Sequence, residues 1–381
     1  CGLAKARDLR GEHGNVIAVI GDGSLSGGEA LEGLDFAGEL RSNLIIVVND
    51  NEMSIAENHG GLYGNLKLLR ETEGSAPCNL FRAMGLDYHY VADGNSISAL
   101  IAAFRRVKDS ASPVVVHIHT EKGKGYAPAE ADRESWHFSG PFDLETGRPL
   151  YAEEAPDFSS VTADYLLSRM EKEPSLVAIT SGTPTVLGFT PEKRKRAGRQ
   201  FVDVGIAEET AVALASGIAA GGGKPVYGVY SSFIQRTYDQ LSQDLCINKN
   251  PATVVVFAGS VYGMNDMTHL GIYDIPLLSN IPELVYLAPT TKEEYLAMLD
   301  WSTGQREHPV AIRLPGGEMI SDGRTVTKQF GALNTYEVTA RGSRVALLGL
   351  GTFYPLAQEV AERVARQTGL RPTVINPYYI S

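Results

Sequence analysis

The chain has 381 residues, and its 34 Lys+Arg against 45 Asp+Glu give a formal net charge of −11. That length fits two or three domains of roughly 100–200 residues each, and the acidic balance without a sustained basic block argues against nucleic-acid binding. No apolar run approaches the ~20 residues needed to span a bilayer. The scattered Cys1, Cys78 and Cys246 offer neither a disulfide framework nor a zinc site, which points to a reducing cytoplasm.

Strands and helices alternate along almost the whole chain. "NVIAVIG" and "NLIIVVND" are short apolar runs that bracket "GGEALEGLDFAGEL", where Leu31, Leu34, Ala37 and Leu40 recur at helical spacing. "LIAAFRRVKDS" then reads as helix and "PVVVHIHT" as strand. Continuous Val/Ile runs joined by helices predict a parallel sheet covered on both faces. Residues 138–160 are polar and turn-rich and read as a linker. Beyond them, "SLVAIT", "QFVDVG", "KPVYGVYSSF", "ATVVVFAG", "LVYLAP" and "PVAIRLP" are strands, with helices at "AEETAVALASGIAA", "QRTYDQLSQDLCI" and "TKEEYLAMLDW". A last unit follows, with strand "RVALLGL", helix "PLAQEVAERVARQ" and strand "RPTVINP". The start at "CGLAKARDL" and the stop after a strand-like run read as the ends of a fragment.

The Gly-rich turn "VIGDGSLSGGEAL" sits between a strand and a helix, a place where outward-pointing amides favour an anion. As a dinucleotide fingerprint it fails, because Ser26 stands at the third glycine position and "NDN" closes the next strand. No Gly-Lys-Ser/Thr follows, so it is no P-loop. What remains is Asp22 at the end of one strand and Asn49, Asp50 and Asn51 at the end of the next, both at the carboxyl edge where open α/β sheets bind ligands. Carboxylate, amide and carbonyl oxygens suit Mg²⁺ or Ca²⁺ bridging to a diphosphate. The other reading makes Asp22 a helix cap and the asparagines a turn.

"NVIAVIGDGSLSGGEALEGLDFAGE", "NDNEMSI", "HIHTEKGKGYAPAEAD", "DVGIAEETAV", "YSSFIQRTYDQ" and "MTHLGIYD" together resemble the 1-deoxy-D-xylulose-5-phosphate synthases, transketolase-like thiamine-diphosphate enzymes, over nearly the whole chain. The resemblance implies an α/β thiamine-diphosphate-binding fold: tandem parallel-sheet α/β/α domains plus a partial C-terminal transketolase-type domain. Its divisions are a diphosphate-binding domain at 1–137 lacking its N-terminal part, a linker at 138–160, a pyrimidine-binding domain at 161–320 and the partial domain at 330–381. It further implies that Asp22, Asn51 and the Met53 carbonyl hold Mg²⁺, and that Gly21, Gly23, Ser24 and Lys122 face the diphosphate. Glu208 matches the glutamate that hydrogen-bonds the aminopyrimidine, and Phe233 the aromatic that stacks on it. His137 and His269 match active-site histidines, while Tyr230, Arg236 and Arg313 line the substrate side together with Asn265 and Asp266. The implied reaction decarboxylates pyruvate and passes two carbons to an aldehyde, glyceraldehyde 3-phosphate by default, in a cytoplasmic homodimer serving isoprenoid or thiamine precursors.

Four departures bear on the acceptor. Asn265 stands where the family carries an aspartate, with Asp266 beside it. Ala258 and Gly316 fall where the family places two arginines on the acceptor's phosphate. The segment between "NDNEMSIA" and "LFRAMGLDY" is short, and "DGNS" replaces Asp-Gly-His. Charge-assisted bonds are worth roughly 1.5–3 kcal/mol each, so losing two weakens phosphate binding by about two to four orders of magnitude. Three readings therefore stand: the family's own synthase, a transketolase-like carboligase with another, unphosphorylated acceptor, and a non-catalytic cofactor-binding paralog.

Overall fold

The computed structural model describes residues 1–151, 156–260, 267–317 and 319–381. They form two compact units, Cys1–Glu154 with Val204–Ala207, and Ala155–Asp203 with Glu208–Ser381. Among the described residues no helix is long and apolar enough to cross a membrane.

The first unit is built on four parallel strands, β1 (Ile17–Gly21), β2 (Ile45–Asp50), β3 (Asp87–Val91) and β4 (Val114–His119), in the order β1-β2-β4-β3. The β-branched runs of β2 and β4 occupy the centre, where both faces are buried, as expected of a parallel sheet. Helix Gly28–Leu40 buries Leu34 and Ala37 on one side of it. Helix Ile97–Val107, capped by the Ser96 side chain on the Ala99 amide, packs on the other through Ala103 and Val107. Register aligns Gly21 with Asn49, and Asp50 with His119, so the strands finish at one common edge.

Helix Gly61–Glu71 and strand β3 are among the elements of this unit that lie outside the sequence expectation. Helix Gly61–Glu71 contains two glycines and little intrinsic propensity, and it forms because Leu66 and Leu69 are fully buried. Strand β3 reads "DYHYV", a polar edge sequence stabilised by pairing with β4.

The second unit carries six parallel strands, β5 (Leu176–Thr180), β6 (Phe201–Asp203), β7 (Lys224–Tyr230), β8 (Thr253–Phe257), β9 (Val285–Leu287) and β10 (Val310–Arg313), ordered β6-β5-β7-β8-β10-β9. All six coincide with the apolar runs read from the sequence. Helix Phe158–Met170 opens with a capping box between Asp157 and Ser160, so the stretch read as linker to residue 160 already contains the first turn of a helix. "QRTYDQLSQDLCI" is not one α-helix. It runs as a 3₁₀ turn Ile234–Thr237, a single α turn Tyr238–Gln240 and a π-helical turn Leu241–Cys246. A three-stranded sheet of β11 (Glu337–Ala340), β12 (Ala346–Leu348) and β13 (Thr373–Asn376), ordered β11-β13-β12, belongs to the same unit, with helix Tyr354–Thr368 beside it.

Candidate cofactor and active site

In the first unit the carboxyl ends of β1 and β2 converge. The Asp22 amide donates to the Asn49 carbonyl at 3.0 Å, which seats Asp22 directly beside the "NDN" segment. Asp22 does not cap: the four-residue 3₁₀ turn after it has no side-chain cap, and the helix proper begins at Gly28. Its carboxylate instead accepts from the Asn58 amide at 2.7 Å and from the Asn51 backbone N–H. Both donors are neutral. Burial, then the neighbouring Asp50 carboxylate, push Asp22 up to about 6.

Asn51 Oδ1 accepts the Met53 N–H at 3.2 Å, so the turn reading of Asn51 is also satisfied, with one lone pair of the oxygen engaged. Glu52 between them adopts a left-handed φ of 70°, and its N–H donates to Asp50 Oδ1 at 3.1 Å. Gly23 is required by close approach, since a Cβ there would fall 2.7 Å from Ser54 Cβ. Gly21 faces open space, and Ser24 is exposed on the 3₁₀ turn. Lys122 Nζ donates to the carbonyls of Ser54 at 2.5 Å and Ile55 at 3.3 Å, and lies 3.2 Å from His137 Nδ1. These acceptors are all neutral. Burial lowers the Lys122 pKa, and burial followed by the Lys122 charge lowers that of His137, so the imidazole accepts from the ammonium.

The donor set fits a hard cation. Among the described residues no cluster of three or more His, Cys, Asp or Glu could hold a metal unaided. One carboxylate, one amide oxygen and a backbone carbonyl are what Mg²⁺ takes when phosphate oxygens and water complete its shell.

In the second unit Glu208 opens helix Glu208–Ala220 and is 3% exposed. Desolvation raises its pKa, opposed by its own backbone N–H and by Arg236, whose Nη1 donates to Oε2 at 2.7 Å. Arg236 also lies 3.4 Å from the Glu209 carboxylate. Phe233, Tyr230 and His269 form an edge-to-face cluster, with centroids 5.4 Å apart for Tyr230–Phe233 and 5.3 Å for Phe233–His269. The Ser231 and Ser232 hydroxyls next to Phe233 are buried and have no hydrogen-bond partner among the described residues. Arg313 is committed to Asp274, Nε to Oδ2 at 2.6 Å, within the fold. Ala258 sits at a left-handed φ of 54° and Gly316 is half-buried. Asn265 and Asp266 lie outside the described residues.

The sequence reading missed the supports of both sites. Asp50 is fully buried and accepts from Arg70 at 2.5 Å and His117 Nε2 at 2.9 Å, and His117 Nδ1 accepts the Tyr88 hydroxyl at 2.7 Å. Burial works against the Asp50 charge, yet the His117 and Arg70 bonds bring it down to about 2. Its place inside "NDN" was the available signal, whereas Arg70, on a helix 20 residues further on, gave none. Asp274 lay unassigned within the quoted "MTHLGIYD".

A family model described as 1-deoxy-D-xylulose-5-phosphate synthase matches residues 1–77 and 70–120, and the transketolase pyrimidine-binding domain matches 154–319. A 1-deoxy-D-xylulose-5-phosphate synthase of Natranaerobius thermophilus is 36% identical, covering 100% of this chain and 66% of its own length. The chain belongs to the 1-deoxy-D-xylulose-5-phosphate synthase family. The protein named 1-deoxy-D-xylulose-5-phosphate synthase 1 in Geobacter metallireducens is likewise 36% identical, with 66% of its length matched. The chain thus spans just under two thirds of the length of these curated relatives. A transketolase structure from Leishmania mexicana superposes over 99% of the chain and 67% of its own, with a TM-score of 0.52 at 15% identity. At that identity the likeness is one of fold: the chain has the α/β thiamine-diphosphate-binding fold of the transketolases.

Proposed function

We propose that this chain forms the cofactor-binding part of a Mg²⁺- and thiamine-diphosphate-dependent transferase of the transketolase type, which decarboxylates pyruvate and passes the two-carbon unit to an aldehyde. The observation that carries this reading is the Asp22 carboxylate accepting from the Asn51 N–H at the edge of β1 and β2, with Met53 tied to Asn51 Oδ1 and the Asp22 charge acting on Lys122. Asp22, Asn51 and the Met53 carbonyl would hold Mg²⁺, and Lys122 would face the diphosphate. When bound, thiamine diphosphate supplies the electron sink for loss of the pyruvate carboxylate. Glu208 would hold a proton against a ring nitrogen, a task suited to a buried carboxyl with a raised pKa. Phe233 would offer a face to the ring, with Tyr230 and His269 beside it. Partial burial and the Lys122 charge lower the pKa of His137, which would act as a hydrogen-bond partner for substrate. A cytoplasmic homodimer, and a role in isoprenoid or thiamine precursor synthesis, belong to the same reading.

A second reading concerns the acceptor. Between Lys249 and Lys292 no lysine or arginine occurs, and Arg236 and Arg313 are both ion-paired within the fold. This favours an acceptor without a phosphate. CO₂ release from labelled pyruvate with phosphorylated and free aldehydes tests both readings. Glu208→Ala lowers that release by roughly 10²–10⁴-fold, and activity surviving the change refutes the role of Glu208. Micromolar saturation by glyceraldehyde 3-phosphate refutes the unphosphorylated acceptor. Cofactor binding without any turnover supports the non-catalytic alternative.

A further inference from the structure

We infer that Arg313 is a positioning residue which, through its buried pair with Asp274, fixes the backbone that carries His269. The inference rests on the reading of His269 as an active-site group. Arg313 ends β10, its side chain is 17% exposed and the Asp274 side chain is fully buried. Nε donates to Asp274 Oδ2 at 2.6 Å, and Nη2 lies 3.4 Å from Oδ1. The same Nη2 donates to the Gly271 carbonyl at 3.2 Å, two residues beyond His269. Asp274 Oδ2 also accepts the Tyr286 hydroxyl at 2.6 Å, which ties the carboxylate to β9.

The backbone is closed around this pair. The Gly271 N–H donates to the Ser260 carbonyl at 3.1 Å, and a Cβ on Gly271 would fall 2.0 Å from the Ala258 carbonyl oxygen. A Cβ on Gly259 would fall 2.8 Å from Arg313 Cγ. Both glycines are therefore demanded by close packing, and residues 258–260 and 269–274 are braced against one guanidinium. A fork engaged by a carboxylate and a carbonyl is not available to a substrate anion, and a lysine has no fork to reproduce it. The edge-on contact of His269 with Phe233 depends on where this backbone stands.

The test uses the full chain without cofactor, with His269 modification by diethyl pyrocarbonate followed by peptide mass mapping. Arg313→Lys is the conservative variant. R313M/D274N removes both charges, so no lone buried carboxylate is left, and the amide oxygen still accepts from Tyr286. We expect His269 modification to rise roughly fivefold or more in both variants, as for a locally weakened segment, with His59 in the other unit unchanged. An unchanged His269 rate in a cooperatively melting R313M/D274N protein overturns the inference. In pyruvate turnover the double variant lowers kcat without changing half-saturation by thiamine diphosphate. A raised KM for pyruvate or aldehyde at unaltered kcat instead makes Arg313 a substrate contact and also overturns it. A parent protein without turnover whose variants still show the labelling change refutes the proposed function and leaves the positioning role standing.

Discussion

The two candidate sites, one in each unit, treat charge in opposite ways. In the first unit, the Asp22 carboxylate accepts from the neutral Asn58 amide, and the Lys122 ammonium donates to carbonyls and an imidazole while the charges of Asp22 and Glu134 also act on it. In the second, Arg236 pairs with Glu208 and Glu209, and Arg313 with Asp274. Under the proposed function the first arrangement would set its carboxylate and ammonium against an external ion and its counter-charge. The second neutralises its guanidinium groups internally and holds aromatic edges and one buried carboxyl whose pKa burial raises.

The largest effect that could break this contrast concerns Asp50, the buried ion pair beneath the first site. Asp50→Asn leaves Arg70 with only the half-exposed Glu52 carboxylate, 3.5 Å away, and should destabilise the protein by up to about 3–5 kcal/mol, read by denaturant or thermal unfolding. A loss below ~1 kcal/mol would mean that the pair behaves like an exposed one and does not set the "NDN" loop. Next in size is Lys122→Met. Removing one charge-assisted contact should weaken diphosphate binding by roughly 10–100-fold, measured by titration of inorganic diphosphate with Mg²⁺. Unchanged binding would erase the distinction drawn for the first site.

The smallest effect concerns Glu208 and pH. Its folded pKa lies above the ordinary value because of burial, so its contribution to stability is fully present below the unfolded pKa and is lost as pH rises through the folded one. Glu208→Gln should therefore melt a few degrees above the parent at neutral and higher pH, with the difference vanishing below about pH 4. A Gln variant that melts below the parent at neutral pH, with the deficit vanishing on acidification, would show that the Arg236 pair, and not burial, dominates at this carboxyl.

Much of this was legible from residue order. Val/Ile runs cannot be solvated on either face, so β2, β4, β5, β7 and β8 followed from pattern alone. Asp22 and "NDN" stood out because strand ends in a parallel sheet share an edge. Helix Gly61–Glu71 and strand β3 were not legible, because burial and edge pairing override their weak local preferences. Whether Asp22 caps was also out of reach, since an aspartate before a helix suits either role; the structure shows no side-chain cap there.

By itself, then, the sequence determined the alternation, the parallel sheets, the family and the residue types at the strand ends, since those depend on short-range periodicity and on motif spacing. Only the tertiary structure decided which charges are already neutralised. Arg70 reaches Asp50, Arg236 reaches Glu208 and Arg313 reaches Asp274 across 20, 28 and 39 residues. Pairings at such separations are set by how strands and helices pack, and no local pattern encodes them.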